Sequence, residues 1–335
     1  MKKIFFLLIV GIMGCEKTEI TNEDLPEKQL TFDNIEVLSG ALPSGFYTRI
    51  YFTSETNGYT VTNNGKIFKT EDRGYTWNEQ DSGTDLYLHD IFFLDNFTGF
   101  IVGGHGYDGG VILKTTDGGN AWESTEMPYG LSNVYFTDST KGFCAGKKLY
   151  VTHNNGKTWT DVDLGSTSYA GIAFYDDKTG FLSTTISPNK NGLLMTKNGG
   201  DTWSIVNKLD NIFENTPIFS RIQINNNITY LQTGGDEILV TKDKGHSWQI
   251  LNVPATSQTY FINKLQGICV GQQWYDRGYF PEGLLCLTNN GGKSWAKMFF
   301  PASSFIRIND IALVDDSTAM AVGQSPCGYI LKLKF

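Results

Sequence analysis

Short runs of β-branched and aromatic residues, each five to eight positions long and broken by Gly, Asn, Asp and Thr, recur along almost the whole chain. The stretch from Leu88 to Met127 shows the unit: LHDIFFLD, the turn NFTG, FIVGG, a loop, GVILKTTD, a polar turn and WESTEM. Alternation at period two, bounded by turn residues, predicts strands, and a 3.6-residue apolar period is absent. Each unit therefore reads as four short strands, and the chain as all-β.

An octet, Thr-x-(Asp/Asn)-x-Gly-x-x-Trp, closes six of these units. The copies run from Thr70 to Trp77, Thr115 to Trp122, Thr152 to Trp159, Thr196 to Trp203, Thr241 to Trp248 and Thr288 to Trp295, so six of the seven tryptophans occupy one motif position. At the acid position stand Asp72, Asp117, Asn154, Asn198, Asp243 and Asn290. Half of the copies thus carry an amide, which accepts a hydrogen bond as a carboxylate does but is neither a general acid or base nor a good hard-cation ligand. The position calls for an acceptor rather than a charge. An Asx side chain bonding backbone N–H groups two residues ahead, with Gly free to take positive φ, is expected to pin a tight turn, with the Trp laid over the hairpin's apolar face.

The motif tryptophans lie 37 to 47 residues apart, and the folded part from residue 30 to 335 has room for about seven units. Four-stranded sheets at that interval predict a β-propeller. The last unit, RINDIALVD, TAMAVGQ and GYILKLKF, supplies three strands and stops without a Trp strand, while LTFDNIEVLSG (Leu30 to Gly40) precedes the first complete unit as a spare. Pairing the spare strand with the last three removes an exposed edge. The prediction is a seven-bladed β-propeller, residues 30–335, closed by its N-terminal strand and monomeric.

These repeats resemble the BNR/Asp-box superfamily, and most closely the photosystem II stability/assembly factor family of seven-bladed propellers. The resemblance spans the chain after its N-terminal segment and implies the fold; for function it is broad, because such propellers include sialidases, xyloglucan-cleaving hydrolases, sortilin-type receptors and assembly factors. The basic surface of the photosynthetic members is not expected here, where arginine is limited to Arg49, Arg73, Arg221, Arg277 and Arg307. A sialidase would need three arginines and an early Arg-Ile-Pro. Arg49 and Ile50 match that motif, but Tyr51 stands in place of the proline.

The N-terminus, MKKIFFLLIVGIMGC, has an apolar run too short to span a bilayer and ends in IMGC, which resembles a bacterial lipoprotein signal with Cys15 as the acylated residue. Residues 1–14 are expected to be the signal and residues 15–29, with seven charges and few apolar residues, a flexible acidic tether. Export to the cell envelope follows, with Glu16 rather than Asp after the cysteine pointing by analogy to the outer membrane. A net charge of -8 argues against nucleic acid. Neither the remaining cysteines (Cys144, Cys269, Cys286, Cys327) nor the four histidines show metal-ligand spacing, so no metal and no cofactor are expected. Pairing of Cys269 with Cys286 is left open.

Two sets of residues are candidates for a site. One is the loops between second and third strands, on the face opposite the octets: Trp274, Tyr275, Asp276, Arg277 and Tyr279 in one repeat, His105, Tyr107 and Asp108 in another, where aromatics beside charges suit a sugar or a protein partner. The other is Arg49, Asp90, Asn133, Arg221 and Asp310, at matching positions of the innermost strands, which would form a mixed-charge collar at the channel mouth or bridge neighbouring blades. No catalytic constellation emerges. The sequence reads as a lipid-anchored binding scaffold for an envelope protein or glycan, with a glycoside hydrolase as the alternative.

Overall fold

The computed structural model describes residues 29–187, 190–206, 221–225, 227–233, 235–254, 257–273 and 282–335. Among them there is no helix, and every sheet is antiparallel. After β1 (Ile35–Leu38) come β2 (Gly45–Phe52), β3 (Gly58–Thr62), β4 (Ile67–Thr70) and β5 (Asn78–Gln80), a four-strand meander. The next are β6 (Leu88–Phe93), β7 (Gly99–Gly104), β8 (Gly110–Thr115) and β9 (Glu123–Met127), then β10 (Leu131–Phe136), β11 (Gly142–Gly146), β12 (Leu149–Thr152) and β13 (Thr160–Val162). They are followed by β14 (Ser168–Phe174), β15 (Gly180–Ser187), β16 (Lys190–Thr196) and β17 (Ser204–Ile205), and by β18 (Arg221–Asn225), β19 (Ile228–Gln232), β20 (Glu237–Thr241) and β21 (Gln249–Asn252). The sixth meander is β22 (Gln258–Phe261), β23 (Gly267–Gln273), β24 (Glu282–Thr288) and β25 (Ala296–Phe300), and the chain ends with β26 (Arg307–Asp315), β27 (Thr318–Ser325) and β28 (Ile330–Lys334).

The spare strand β1 lies along β28, with Ile35 opposite Leu333 and Leu38 opposite Ile330. A short pairing of β2 with β27, Gly45 opposite Ser325 and Phe46 opposite Gln324, runs the first and last units together as one eight-stranded sheet. Innermost strands touch in sequence: β2 meets β6, β6 meets β10, β10 meets β14, β14 meets β18, β22 meets β26, and β26 meets β2. The turns between first and second strands and those between third and fourth lie on one face, as the Gly118 N–H donating to the Phe97 carbonyl at 2.9 Å shows. The chain enters on that face too, where the Leu30 N–H donates to Asn289 Oδ1 at 2.7 Å and the Asn289 amide returns a bond to the Leu30 carbonyl at 3.0 Å.

Burial explains why some strands do not alternate. Second strands are buried at every position in β3, β7 and β11, whereas the outer strands β9 and β13 are mostly exposed. A strand covered on both faces by neighbouring sheets has no solvent side, so FIVGG and GFCAG read as continuous apolar runs. Core clusters accordingly sit between consecutive sheets: Tyr59, Val61 and Ile67 of the first pack with Ile91, Ile101 and Leu113 of the second. Cys269 and Cys286 are direct cross-strand partners in the cluster between the fifth and sixth sheets, both fully buried and not joined to each other.

Candidate functional site

The six octets share one hydrogen-bond pattern, and it differs in detail from the predicted two-residue reach. In the copy at Asp117, Oδ1 accepts the Ala121 N–H at 3.0 Å, four residues ahead, while the Thr115 hydroxyl donates to the same oxygen at 2.9 Å. That hydroxyl in turn accepts the Gly119 N–H at 2.8 Å, so the motif threonine, not the acid, serves the glycine. Asn154 performs the same task with its amide oxygen, accepting the Thr158 N–H at 2.9 Å, and Asn198 and Asn290 do so for Thr202 and Ser294. Backbone N–H donors hold the Asp117 carboxyl below its usual range, the Ala121 N–H most of all. For Asp243 the downward shift comes first from the Ser247 hydroxyl. Trp77, Trp122, Trp159, Trp203, Trp248 and Trp295 meet Phe rings edge-on, as Trp77 does Phe52 and Trp122 does Phe93. Among the described residues no group of three or more His, Cys, Asp or Glu forms a metal cluster.

The five collar residues come together at the centre. Arg49 Nε donates to Asp90 Oδ1 at 2.7 Å, and its Nη1 lies 3.7 Å from Asp310 Oδ1. Arg221, from the fifth sheet, reaches the same Asp310 oxygen at 2.6 Å, and the Asn133 amide donates to Asp90 Oδ2 at 2.5 Å. The second oxygen of each carboxylate accepts a backbone N–H from a neighbouring innermost strand, Val134 on Asp90 and Ile50 on Asp310, both at 3.0 Å. Asn133 Oδ1 does the same for Ile172. Two cations and two carboxylates thus balance in a plug that also staples neighbouring sheets. Burial disfavours the Arg49 charge, but Asp90 and Asp310 outweigh it and push the guanidinium pKa up.

Beyond the plug, toward the octet side, opens a cavity of about 340 Å³. Strand periodicity builds its wall: two residues past the collar position, hence on the same side of each inner strand, stand Tyr51, Phe92, Tyr135, Ala173, Gln223 and Tyr260, all lining it. Arg221, Asn133, Asp90 and Gln258 form the floor, and Asn225 joins the wall. Burial, partly offset by Arg221, pushes the Tyr260 phenol up. Sequence reasoning expected ligands on the opposite face and missed this funnel, although adding two to Arg49, Asp90, Asn133 and Arg221 would have found Tyr51, Phe92, Tyr135 and Gln223.

On that opposite face, the hairpin between β7 and β8 carries His105, Tyr107 and Asp108. Tyr107 is 71% exposed, with Lys147 Nζ 4.3 Å above its ring. His105 meets the edge of Tyr87, which stacks on His89 at 4.2 Å. Trp274, Tyr275, Asp276, Arg277 and Tyr279 lie outside the described residues, as does Cys15.

Antiparallel meanders side by side around an ion-paired plug define a β-propeller. Within that class the chain is similar to photosystem II assembly factors: residues 77–168 match the family model described as photosynthesis system II assembly factor YCF48. It is 23% identical over 268 residues to the photosystem II assembly lipoprotein Ycf48 of Synechococcus sp. (strain CC9902), covering 74% of this chain and 73% of that protein. Against the chloroplastic photosystem II stability/assembly factor HCF136 of Arabidopsis thaliana it is 22% identical over 313 residues, covering 83% and 72%. Among solved structures, YCF48 bound to D1 peptide superimposes with a TM-score of 0.68 at 17% identity, over 93% of this chain and 99% of that one. A GH74 enzyme of Niastella koreensis gives 0.65 at 14% identity, over 88% of this chain and 53% of the enzyme. At these identities the solved structures speak to the fold.

Proposed function

We propose that the chain is a seven-bladed propeller, closed by β1 on β28, which is carried to the cell envelope on a lipid at Cys15 and there holds a segment of a partner protein without chemical turnover. Residues 15–29 serve as its tether and the outer membrane as its destination in this reading. The observation that carries it is the state of the centre. Both buried carboxylates, Asp90 and Asp310, are saturated by guanidinium, amide and backbone N–H groups, while the aromatic funnel next to them stands open. A general acid or base needs an oxygen within reach of a substrate proton, and these oxygens already have partners. Rigid rings with few torsions, by contrast, suit recognition of a polypeptide at low entropic cost. The relatives support a protein partner: two are named as assembly or stability factors, and one propeller of the same fold was solved with a peptide. One relative's name, a lipoprotein, supports the anchor. The loop at His105, Tyr107 and Asp108 is a second contact surface in this proposal, and Trp274, Tyr275, Asp276, Arg277 and Tyr279 are proposed as further contact residues.

The GH74 likeness keeps the hydrolase reading as the competitor, and one experiment separates the two. A photo-reactive amino acid is placed at Tyr260 in the funnel and, separately, at Tyr107 on the opposite face, and the full chain is irradiated in envelope membranes. A polypeptide cross-link at Tyr260 that maps to one sequence is the expected result. Release of reducing sugar from a panel of envelope glycans by the unmodified chain would replace the binding reading with an enzymatic one.

A further inference from the structure

The funnel floor is electrostatically uneven, and the unevenness selects a ligand class. Asp90 and Asp310 have partners on both oxygens. Arg221 is different. Among the described residues its one ion pair is through Nη1 and its other N–H groups have no partner, and at 28% its side chain is more exposed than those of Arg49, Asp90 and Asp310. Two positions along β18, on the same side of the strand, Gln223 lines the same cavity with its Oε1 shielded from solvent and without a hydrogen-bond partner. A guanidinium offers the fork that matches a carboxylate, and an orphaned amide oxygen calls for an N–H or O–H donor. The two sites sit about 6.6 Å apart along the strand, a gap these long side chains close. Around them Tyr51, Phe92, Tyr135 and Tyr260 present apolar and aromatic surface.

Resting on the reading of this funnel as the binding site, we infer that its ligand is the free carboxylate end of an N-acylated amino acid with an apolar side chain, the carboxylate on Arg221 and the neighbouring amide N–H on Gln223 Oε1. Two sources share that chemistry: the C-terminus of a polypeptide and a free N-acyl amino acid. The plug itself cannot swing to meet the ligand, because Asp310 is wholly buried and tied to Ile50. Recognition therefore falls to the outward N–H groups of Arg221.

The test is calorimetric titration of the full chain in detergent with N-acetyl-Ala-Ala-Phe, with the same peptide as its C-terminal amide, and with N-acetyl-phenylalanine. The free acid is expected to bind at least about tenfold more tightly than the amide, the weight of one charge-assisted pair. Arg221→Gln should erase that difference. Because Arg221 also serves the plug, Gln223→Leu provides a second arm that leaves the ion pairs intact and should weaken the free acid severalfold. A tighter tripeptide than N-acetyl-phenylalanine identifies a polypeptide end, and equal binding a small acid; either supports the shared chemistry. Amide and acid binding alike would overturn this inference while a cross-link at Tyr260 still upholds the protein-binding reading. No titration signal and no cross-link at Tyr260 would remove both.

Discussion

Asp117 and Asn154 occupy the same station in two turns, accept equivalent N–H groups at 3.0 and 2.9 Å, and differ by a charge that the turn does not use. Asp117→Asn should therefore leave the thermal midpoint close to that of the native chain. Thr115→Val should not: it removes the buried hydroxyl that accepts the Gly119 N–H, and an unsatisfied buried donor costs about 1–3 kcal/mol, readable in a urea melt. The charge does matter in acid. Asp72, Asp117 and Asp243 are all held below the usual carboxylate range when folded. A depressed folded-state pKa gives a contribution that is complete above the unfolded carboxylate value, about 3.9, and is lost as pH falls through the folded values. Thermal midpoints measured downward from pH 5 should fall less steeply in the triple Asp-to-Asn variant at these positions than in the native chain. Equal slopes would show that other groups govern acid unfolding.

The glycine in each turn links one sheet to the next. Gly119 sits at φ +79°, and a Cβ there would lie 2.7 Å from the Tyr59 ring of the preceding sheet, while a Cβ on Gly156 would lie 2.6 Å from Phe100. The motif therefore combines a backbone shape open to Gly with a docking notch for a neighbour's aromatic ring. Tyr59 confirms the contact by donating its hydroxyl to the Gly118 carbonyl at 2.7 Å. Gly119→Ala should destabilise by more than about 1 kcal/mol, since it adds a clash to the backbone strain; a neutral result in chemical denaturation would contradict the notch. The turn chemistry was legible from the octets because it is local. The docking partner was not, because Tyr59 and Gly119 are 60 positions apart and only the stacking of sheets introduces them.

Across the whole molecule, the first and last strands lie side by side. β1 covers β28, and Leu30 is fastened to Asn289 by two hydrogen bonds. Deleting residues 30–40 bares the edge of β28 and opens the core cluster that Leu30 shares with Phe305 and Leu331. The truncated chain should run as oligomers on size exclusion and digest faster under limited proteolysis, since a bared edge strand pairs with other chains; a stable, monomeric truncation would sink the closure. The funnel mouth, the octet turns and Leu30, where the described chain begins its contacts, all lie on one face.

The sequence by itself determined the strands, the turns and their spacing, because side-chain alternation, Asx acceptors and glycine φ act over a few residues. It also marked Arg49, Asp90, Asn133, Arg221 and Asp310 as equivalent. Only the tertiary structure decided what they do. The four charges lie on four different innermost strands, and whether they face solvent or one another depends on how those strands converge. Convergence made them a neutral plug, turned the residues two places further on into the wall of a funnel, and put the open cavity on the face that local reasoning had assigned to turns alone.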